Sequence, residues 1–195
     1  MTAQFAFLKN DTILVEDEDY LLRPLAERDK SNFIETEKQE NVVPKDTFDE
    51  PMFVEQLWRD TEEDCIFFSI IAKAADKFCG FCNLRRLNDE IPEIGISLQE
   101  PFRYQGIGVH VLPLFMQTVR QRTRVDRFLA RVYSDNTACL RLMEKLGGVQ
   151  IGTEPSEYMQ LVEKIKPLLD EDAIRKLEEK GVSFSDSRHI IHFQL

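Results

Sequence analysis

The chain lacks a long apolar run, and it lacks the positive charge that nucleic acid binding requires. No stretch of its 195 residues approaches the roughly 20 apolar residues of a membrane-spanning helix. The first ten residues also lack the basic and apolar regions of a secretion signal. The formal net charge is −10, whereas phosphate backbones are bound by basic surfaces. We therefore expect a cytoplasmic protein whose main partner is neither a membrane nor a nucleic acid.

The few cysteines do not make a metal or redox site. Cys79 and Cys82 have the Cys-x-x-Cys spacing of such sites, but no second Cys or His pair supplies two further zinc ligands at a suitable spacing. A redox pair opens a helix, where the helix dipole lowers the thiol pKa. Residues 77–87 instead have the composition of a strand. We expect reduced, structural cysteines and no metal.

The sequence has neither an internal repeat nor a low-complexity linker, so we expect a single domain over residues 1–195. Hydrophobic residues make up 43% and charged residues 31%, as in globular proteins with a substantial core. Periodicity predicts strands at 13–15, 20–25, 65–72, 77–87, 92–98, 127–133 and 189–195. It predicts helices at 27–40, 50–60, 106–122 and 136–146, the last ended by a left-handed glycine cap at Gly147. Residues 155–181 are predicted to be a helical insertion before the last strand, with a break at Pro167 and a second helix from Glu171 to Lys180 ended by Gly181.

The most informative segment is a glycine turn between a predicted strand and a predicted helix. Its residues are Arg103, Tyr104, Gln105, Gly106, Ile107 and Gly108. Glycines let the backbone approach a ligand closely, and the first turn of a helix presents unpaired N–H groups and a positive dipole end. The segment is not a P-loop, because no Lys follows the second glycine, and it is not the three-glycine dinucleotide fingerprint. We expect it to bind a pyrophosphate.

Three segments in the expected order resemble the GNAT superfamily of N-acetyltransferases. The glycine turn resembles the acetyl-CoA pyrophosphate loop of that family, although Tyr104 stands where the family often has Gly. Residues 133–148 are similar to its second signature, a strand end followed by Asn, a short helix and Glu-Lys-Leu-Gly. Residues 20–29 resemble its opening strand and turn. The resemblance covers residues 20–153 and implies an α/β (α+β) fold with a mixed, mostly antiparallel, twisted sheet flanked by helices.

The resemblance also implies where acetyl-CoA, the co-substrate, would bind. The backbone N–H groups of residues 103–108 would hold its pyrophosphate, and Arg103 would add positive charge. The pantetheine arm would pair with backbone near Ile96 and Leu98. Asn136 would hydrogen-bond the carrier, cap its own helix, or do both.

Catalysis needs a group that accepts a proton from the amine, and Glu93 is the candidate, because the family places a carboxylate base on this strand. The alternative is a strand-edge Glu paired with an Arg. Many family members carry a Tyr seven residues after the Asn to protonate the leaving thiolate, but this chain has Met143 there. Tyr133, Ser134 or a water would then serve, or the thiolate leaves unaided.

The pattern around Met143 resembles the branch that acetylates ribosomal-protein N-termini or small amines. That branch often has a Glu early in the pyrophosphate helix, where this chain has His110, which is either a titrating group or a surface residue. Pro113 is expected to kink that helix or to shift its start.

The sequence thus predicts an N-acetyltransferase that moves an acetyl group from acetyl-CoA to a primary amine by direct attack in a ternary complex. The acceptor would be a small-molecule amine or a peptide N-terminus. The alternative is a catalytically silent acetyl-CoA-binding regulatory module on the same fold. The protein is expected to be a monomer or a homodimer, with residues 155–181 beside the acceptor cleft or at a subunit contact.

Overall fold

A computed structural model of the protein describes residues 5, 7–40, 44–179 and 183–195. The chain divides into two compact units, residues 1–129 and 130–195, and the prediction of one domain stays a prediction. The strands and helices of the first unit are β1 Val15–Glu16, β2 Tyr20–Pro24, α1 Lys30–Glu40, α2 Pro51–Arg59, β3 Cys65–Ala72, β4 Lys77–Arg85, β5 Glu93–Leu98 and α3 Ile107–Arg122. Strand β6, Leu129–Tyr133, starts at the last residue of the first unit and continues into the second. The other elements of the second unit are α4 Thr137–Lys145, β7 Val149–Pro155, α5 Glu157–Ile165, α6 Glu171–Glu179 and β8 His189–Gln194.

The sheet is mixed and mostly antiparallel, as predicted. Strands β1 to β5 pair in chain order, each antiparallel to the next. Strand β5 pairs in parallel with the start of β6, at Glu93 opposite Leu129, and α3 makes the crossover that a parallel pair requires. In the second unit, β8 lies between β6 and β7 and is antiparallel to β7.

In the first unit, the sheet is covered by α1 on one face and by α3 on the other. Phe33 of α1 packs its ring against Phe67 of β3 and Phe81 of β4, at centroid distances of 5.5 and 5.0 Å. Phe68, the next residue on β3, packs instead against Phe115 of α3 at 5.3 Å. Successive side chains of a strand point to opposite faces. These ring contacts therefore show which nearby residues of β4 and β5 face α1 and which face α3.

Helix α1 is anchored at its start by a buried carboxylate. Asp29 is 4% exposed and accepts hydrogen bonds from both terminal nitrogens of Arg23, at 2.6 and 2.8 Å. It also accepts bonds from the Ser69 hydroxyl at 2.8 Å and from the Ala26 N–H at 3.1 Å. Burial opposes ionisation here, but the hydrogen bonds from Arg23, Ser69 and Ala26 outweigh it and lower the pKa of Asp29.

Several element boundaries differ from the sequence predictions. Helix α3 begins at Ile107, six positions before Pro113, so the proline does not shift its start. Strand β7 extends to Pro155, which was assigned to the insertion, and the two helices that follow it lie between two antiparallel strands. Both helices are present, but Lys180 and Gly181 lie outside the described residues. Gly147 ends α4 in the left-handed conformation, with φ 73°, as predicted.

In the described ranges, no helix combines the length and the apolar character needed to cross a membrane.

Candidate active site

The glycine turn ends in an open helix N-terminus. Gly106 has φ 84° and ψ −2°, in the left-handed region, and α3 starts at the next residue. The first bond of the helix runs from the His110 N–H to the Gly106 carbonyl, at 3.1 Å. The N–H groups of the first turn therefore have no partner within the helix, and a Cβ added at Gly106 would meet no described atom within 4 Å. This arrangement suits an anionic group that approaches the backbone.

The turn before this helix is strained at a residue other than glycine. Tyr104 has φ 62° and is 90% exposed. A left-handed conformation is unfavourable for a side chain of this size, which explains why a glycine is common at this place in the family that the loop resembles.

Arg103 and Glu40 contact the two backbone polar groups of one residue, Leu98, at the end of β5. The Nε of Arg103 donates to the Leu98 carbonyl at 2.8 Å, and its Nη2 lies 3.4 Å from the Glu40 carboxylate. Glu40 accepts hydrogen bonds from the Ser97 hydroxyl and from the Leu98 N–H. Burial raises the pKa of Glu40, although these bonds and the charge of Arg103 act in the opposite direction. A carboxyl group with a raised pKa therefore lies beside the strand that was predicted to hold the pantetheine arm.

Sequence reasoning missed Glu40, although a weak signal was present. Phe33, Glu37 and Glu40 are spaced by four and then three residues, which places them on one side of a helix. The ring contacts of Phe33 show that this side faces β3 and β4. Two carboxylates therefore lie on the side of α1 that faces the sheet.

Glu93, the candidate proton acceptor, faces α1 as well. It lies directly opposite Arg85 in the β4–β5 ladder, on the face that carries Phe81. Its side chain is only 12% exposed, and its carboxylate is 3.3 Å from the Nε of Arg86. The alternative interpretation of Glu93, an ion pair with an Arg, is thus observed. The role of Glu93 as a proton acceptor stays a prediction.

In the second unit, the other candidate residues lie at the end of β6 and the start of α4. Asn136 caps α4, since its Oδ1 accepts from the Cys139 N–H at 3.0 Å, while its contact with the carrier stays a prediction. The hydroxyl of Ser134 accepts from the His189 N–H at 3.2 Å. Burial raises the pKa of Tyr133, so its hydroxyl keeps its proton at neutral pH.

Met143 is 2% exposed and belongs to the core of the second unit. It occupies a packing position, and a thioether cannot donate a proton.

His110 pairs with Asp17, in the turn between β1 and β2, and packs edge-on against Tyr20 at 5.2 Å. Burial opposes the ionisation of Asp17, but its hydrogen bonds from His110, Tyr20 and Asp19 lower its pKa. His110 therefore ties the first turn of α3 to this acidic turn.

Cys79 and Cys82 are free and fully buried. Burial raises the pKa of both thiols, which makes them poor nucleophiles. Within the described parts of the chain, no three or more His, Cys, Asp or Glu side chains form a group that could hold a metal ion.

Comparison with known proteins identifies the class of protein that this fold and this loop define. The sequence matches the family described as "Acetyltransferase (GNAT) domain" over residues 19–149. The chain therefore belongs to the GNAT acetyltransferase family, and it is an acetyl-CoA-dependent acetyltransferase. This family transfers acyl groups from acetyl-CoA to amines.

Solved structures of the same fold include two enzymes from Vibrio species. The ribosomal-protein-S5-alanine acetyltransferase of Vibrio fischeri is 14% identical, with a TM-score of 0.65 over 95% of this chain and 96% of that one. The spermidine N-acetyltransferase of Vibrio cholerae, in complex with CoA and spermine, is 14% identical, with a TM-score of 0.64 over 92% of this chain and 96% of that one. At such low identity the likeness shows the fold alone. No curated protein matches the sequence significantly.

Proposed function

We propose that this protein transfers the acetyl group of acetyl-CoA directly to a primary amine within a ternary complex. The observation that carries the proposal is the loop at 103–108, where a left-handed glycine leads into the uncapped first turn of α3. The residues fit the carrier, because a pyrophosphate needs clustered N–H donors and an open approach. The N–H groups of Ile107 and Gly108 would bind the phosphates, and Arg103 would add a charge-assisted bond.

Strand β5 would align the rest of the carrier. Acetyl-CoA supplies a thioester whose carbonyl carbon is open to attack by an amine. The backbone of Ile96 and Leu98 would hold the arm, and the Leu98 N–H, which now donates to Glu40, is a donor that could turn to the carrier. Five residue steps of extended strand, roughly 17 Å, separate Leu98 from Glu93. An extended pantetheine arm covers a span of this kind.

Glu93 would accept the proton that the amine must lose. An amine is protonated at neutral pH and attacks only when neutral, so a nearby carboxylate contributes by taking up the proton. Tyr133 and Ser134 remain the candidates for protonating the departing thiolate. Coenzyme A is itself a reasonable leaving group, and this explains how Met143 can replace the usual Tyr.

The acceptor is expected to be a cationic amine, either a small molecule or a peptide N-terminus. The structural neighbours include enzymes named for spermidine and for the alanine of ribosomal protein S5. In this chain, acidic side chains lie between α1 and the sheet, among them Glu37 and Glu40 on the helix and Glu93 on β5. Negative charge there attracts an ammonium group before it is deprotonated.

The first test measures coenzyme binding and turnover with a matched glycine pair. The parent should release free thiol from acetyl-CoA with spermidine or with a peptide that begins with alanine. Gly106→Leu should weaken acetyl-CoA binding at least tenfold, because a left-handed backbone and a bulky side chain both oppose the phosphate. Gly147→Leu is the control, since Gly147 is also left-handed and open but ends α4. Equal losses in both variants would place the site elsewhere, and coenzyme binding without turnover would support the silent module.

The second test separates proton transfer from the ion pair of Glu93. Glu93→Gln should lower kcat by roughly 100-fold or more at neutral pH, with unchanged acetyl-CoA affinity, and the loss should shrink at high pH. Arg86→Met removes the same ion pair but keeps the carboxylate, so its loss of kcat should be much smaller. Similar losses in the two variants would mean that the ion pair matters and that Glu93 takes no proton.

A further inference from the structure

On the face of β4 and β5 that points to α1, the structure describes a buried polar group without a hydrogen-bond partner. Asn83 lies on β4 opposite Phe67 of β3 and opposite Gly95 of β5. Its residue is 3% exposed, and its Oδ1 accepts no hydrogen bond from any residue that the structure describes. Burying an acceptor oxygen without a donor costs folding free energy. An unpaired oxygen in such a place therefore calls for a functional explanation.

Gly95 gives the Asn83 amide its position. A Cβ at Gly95 would lie 2.8 Å from the Asn83 Oδ1, closer than a carbon and an oxygen can approach. Only glycine therefore lets the Asn83 side chain lie across β5. On the same face of β5, Glu93 precedes Gly95 by two residues and Ser97 follows it by two. The unpaired oxygen thus lies between the candidate proton acceptor and the end of β5 where Glu40 binds.

A cavity of about 440 Å³ opens on the same face of the sheet, and residues adjacent to Asn83 line it. Phe67 and Arg85, the neighbours of Asn83 across and along the sheet, line it together with Phe33 and Glu37 of α1. The guanidinium of Arg85 lies over the Phe67 ring at 5.6 Å. The cavity thus combines an apolar surface, formed by Phe33 and Phe67, with acidic side chains in its lining.

We propose that Asn83 determines acceptor specificity: its Oδ1 accepts a hydrogen bond from the N–H of an aliphatic primary amine whose chain lies along Phe33 and Phe67. This inference rests on the proposed function, and it names the residue that recognises the acceptor. An amine nitrogen keeps at least one N–H donor after it loses a proton to Glu93. Asn83 can therefore accept a hydrogen bond from the nitrogen in both protonation states, because the charge of its amide does not change when the amine loses a proton.

Asn83→Leu tests the proposal, because leucine has nearly the same shape and no acceptor. The variant should keep the acetyl-CoA affinity of the parent. Its melting temperature should equal or exceed that of the parent, since an unpaired buried polar group is being replaced by an apolar one. The substrate is spermidine, n-butylamine or the alanine peptide, whichever the parent acetylates with the highest kcat/KM. The kcat/KM of Asn83→Leu for that substrate should fall by roughly 10- to 100-fold, which is the effect of one lost hydrogen bond.

Thr36→Val is the matched control, since Thr36 is also fully buried beside the sheet but donates to the Asn32 carbonyl at 2.7 Å. It should lose stability and keep kcat/KM, the opposite of Asn83→Leu. A destabilised Asn83→Leu variant with unchanged kcat/KM would overturn the proposal, because the amide would then serve the fold.

Amine binding without turnover separates this proposal from the proposed function. With CoA present, n-butylamine and spermidine should raise the melting temperature of the parent and should have a smaller effect on Asn83→Leu. If the parent shows this difference but transfers no acetyl group, the acceptor site stands and the proposed function fails. If the parent acetylates amines and Asn83→Leu does so equally well, the proposed function stands and Asn83 is not the recognition residue. The absence of any amine effect on the parent also overturns the acceptor site.

Discussion

The carboxylate that anchors α1 allows a quantitative prediction for the variant Asp29→Asn. The side chains of Arg23 and Asp29 are 12% and 5% exposed, so this is a buried ion pair with two further hydrogen bonds. Removing one charge of such a pair costs about 3–5 kcal/mol, because the other charge stays buried without its partner. That loss is a large part of the roughly 5–15 kcal/mol that stabilises a typical domain.

The assay is urea unfolding followed by tryptophan fluorescence. Trp58 is the single tryptophan, and its ring lies 5.6 Å from Phe33 of α1, so its emission reports on the packing of this helix. A double-mutant cycle with Ser69→Ala should give a coupling free energy above about 0.5 kcal/mol, since the two residues share a hydrogen bond.

The lowered pKa of Asp29 also predicts how the stability difference between the parent and Asp29→Asn depends on pH. The pKa of Asp29 is lowered from its ordinary value of 3.8. The contribution of Asp29 to the free energy of unfolding is therefore fully present above pH 3.8, and it is lost as the pH falls through the lower pKa of the folded state. The difference between parent and Asp29→Asn should be constant near neutral pH and should shrink in strong acid. A difference below 1 kcal/mol at neutral pH, or one that does not change in acid, would refute the reasoning.

Two further predictions concern coenzyme affinity and the helical insertion. Glu40→Gln should tighten acetyl-CoA binding, by up to about fivefold for a partly exposed ion pair, because it frees Arg103 and removes a negative charge near the phosphates. Calorimetry with the exposed control Glu35→Gln measures this, and equal or weaker binding would contradict it. Tyr158 and Leu161 of α5 are 38% and 53% exposed, so changing both to Ser should alter the mass in solution, measured by light scattering, or the KM for the amine. If neither changes while α5 stays folded, Tyr158 and Leu161 contact neither the amine nor a second subunit.

The elements that the sequence predicted well are those specified by local signals. The glycine turn, α3 and the left-handed end of α4 depend on residues close together in the chain, such as Gly106 and Gly147. Strand β7 was missed because its alternation is interrupted at Gly152, where its pairing with β8 is also irregular. That pairing partner lies some 40 residues further along the chain.

The polar groups of the face toward α1 were harder to predict, because three distant segments bring them together. Asn83 is unremarkable within β4, and only the register with Gly95 shows that its amide crosses β5. Glu40 is a surface residue by composition, and only the packing of Phe33 turns it toward Ser97. Glu93 was singled out from family resemblance, but its Arg86 partner follows from a turn whose geometry the local sequence does not specify.

The contacts of Arg103 and Glu40 with the backbone of Leu98 have a thermodynamic consequence for the free enzyme. Arg103 holds the Leu98 carbonyl and Glu40 holds the Leu98 N–H, and the positive charge of Arg103 is one of the influences that lower the proton affinity of Glu40. If Arg103 turns toward a bound pyrophosphate, that influence is lost and Glu40 takes up a proton more readily. Linkage is reciprocal, so protonation of Glu40 must favour the coenzyme to the same extent. Binding of the coenzyme and protonation of Glu40, which lies on the side of the sheet where the amine is proposed to bind, would then be thermodynamically coupled.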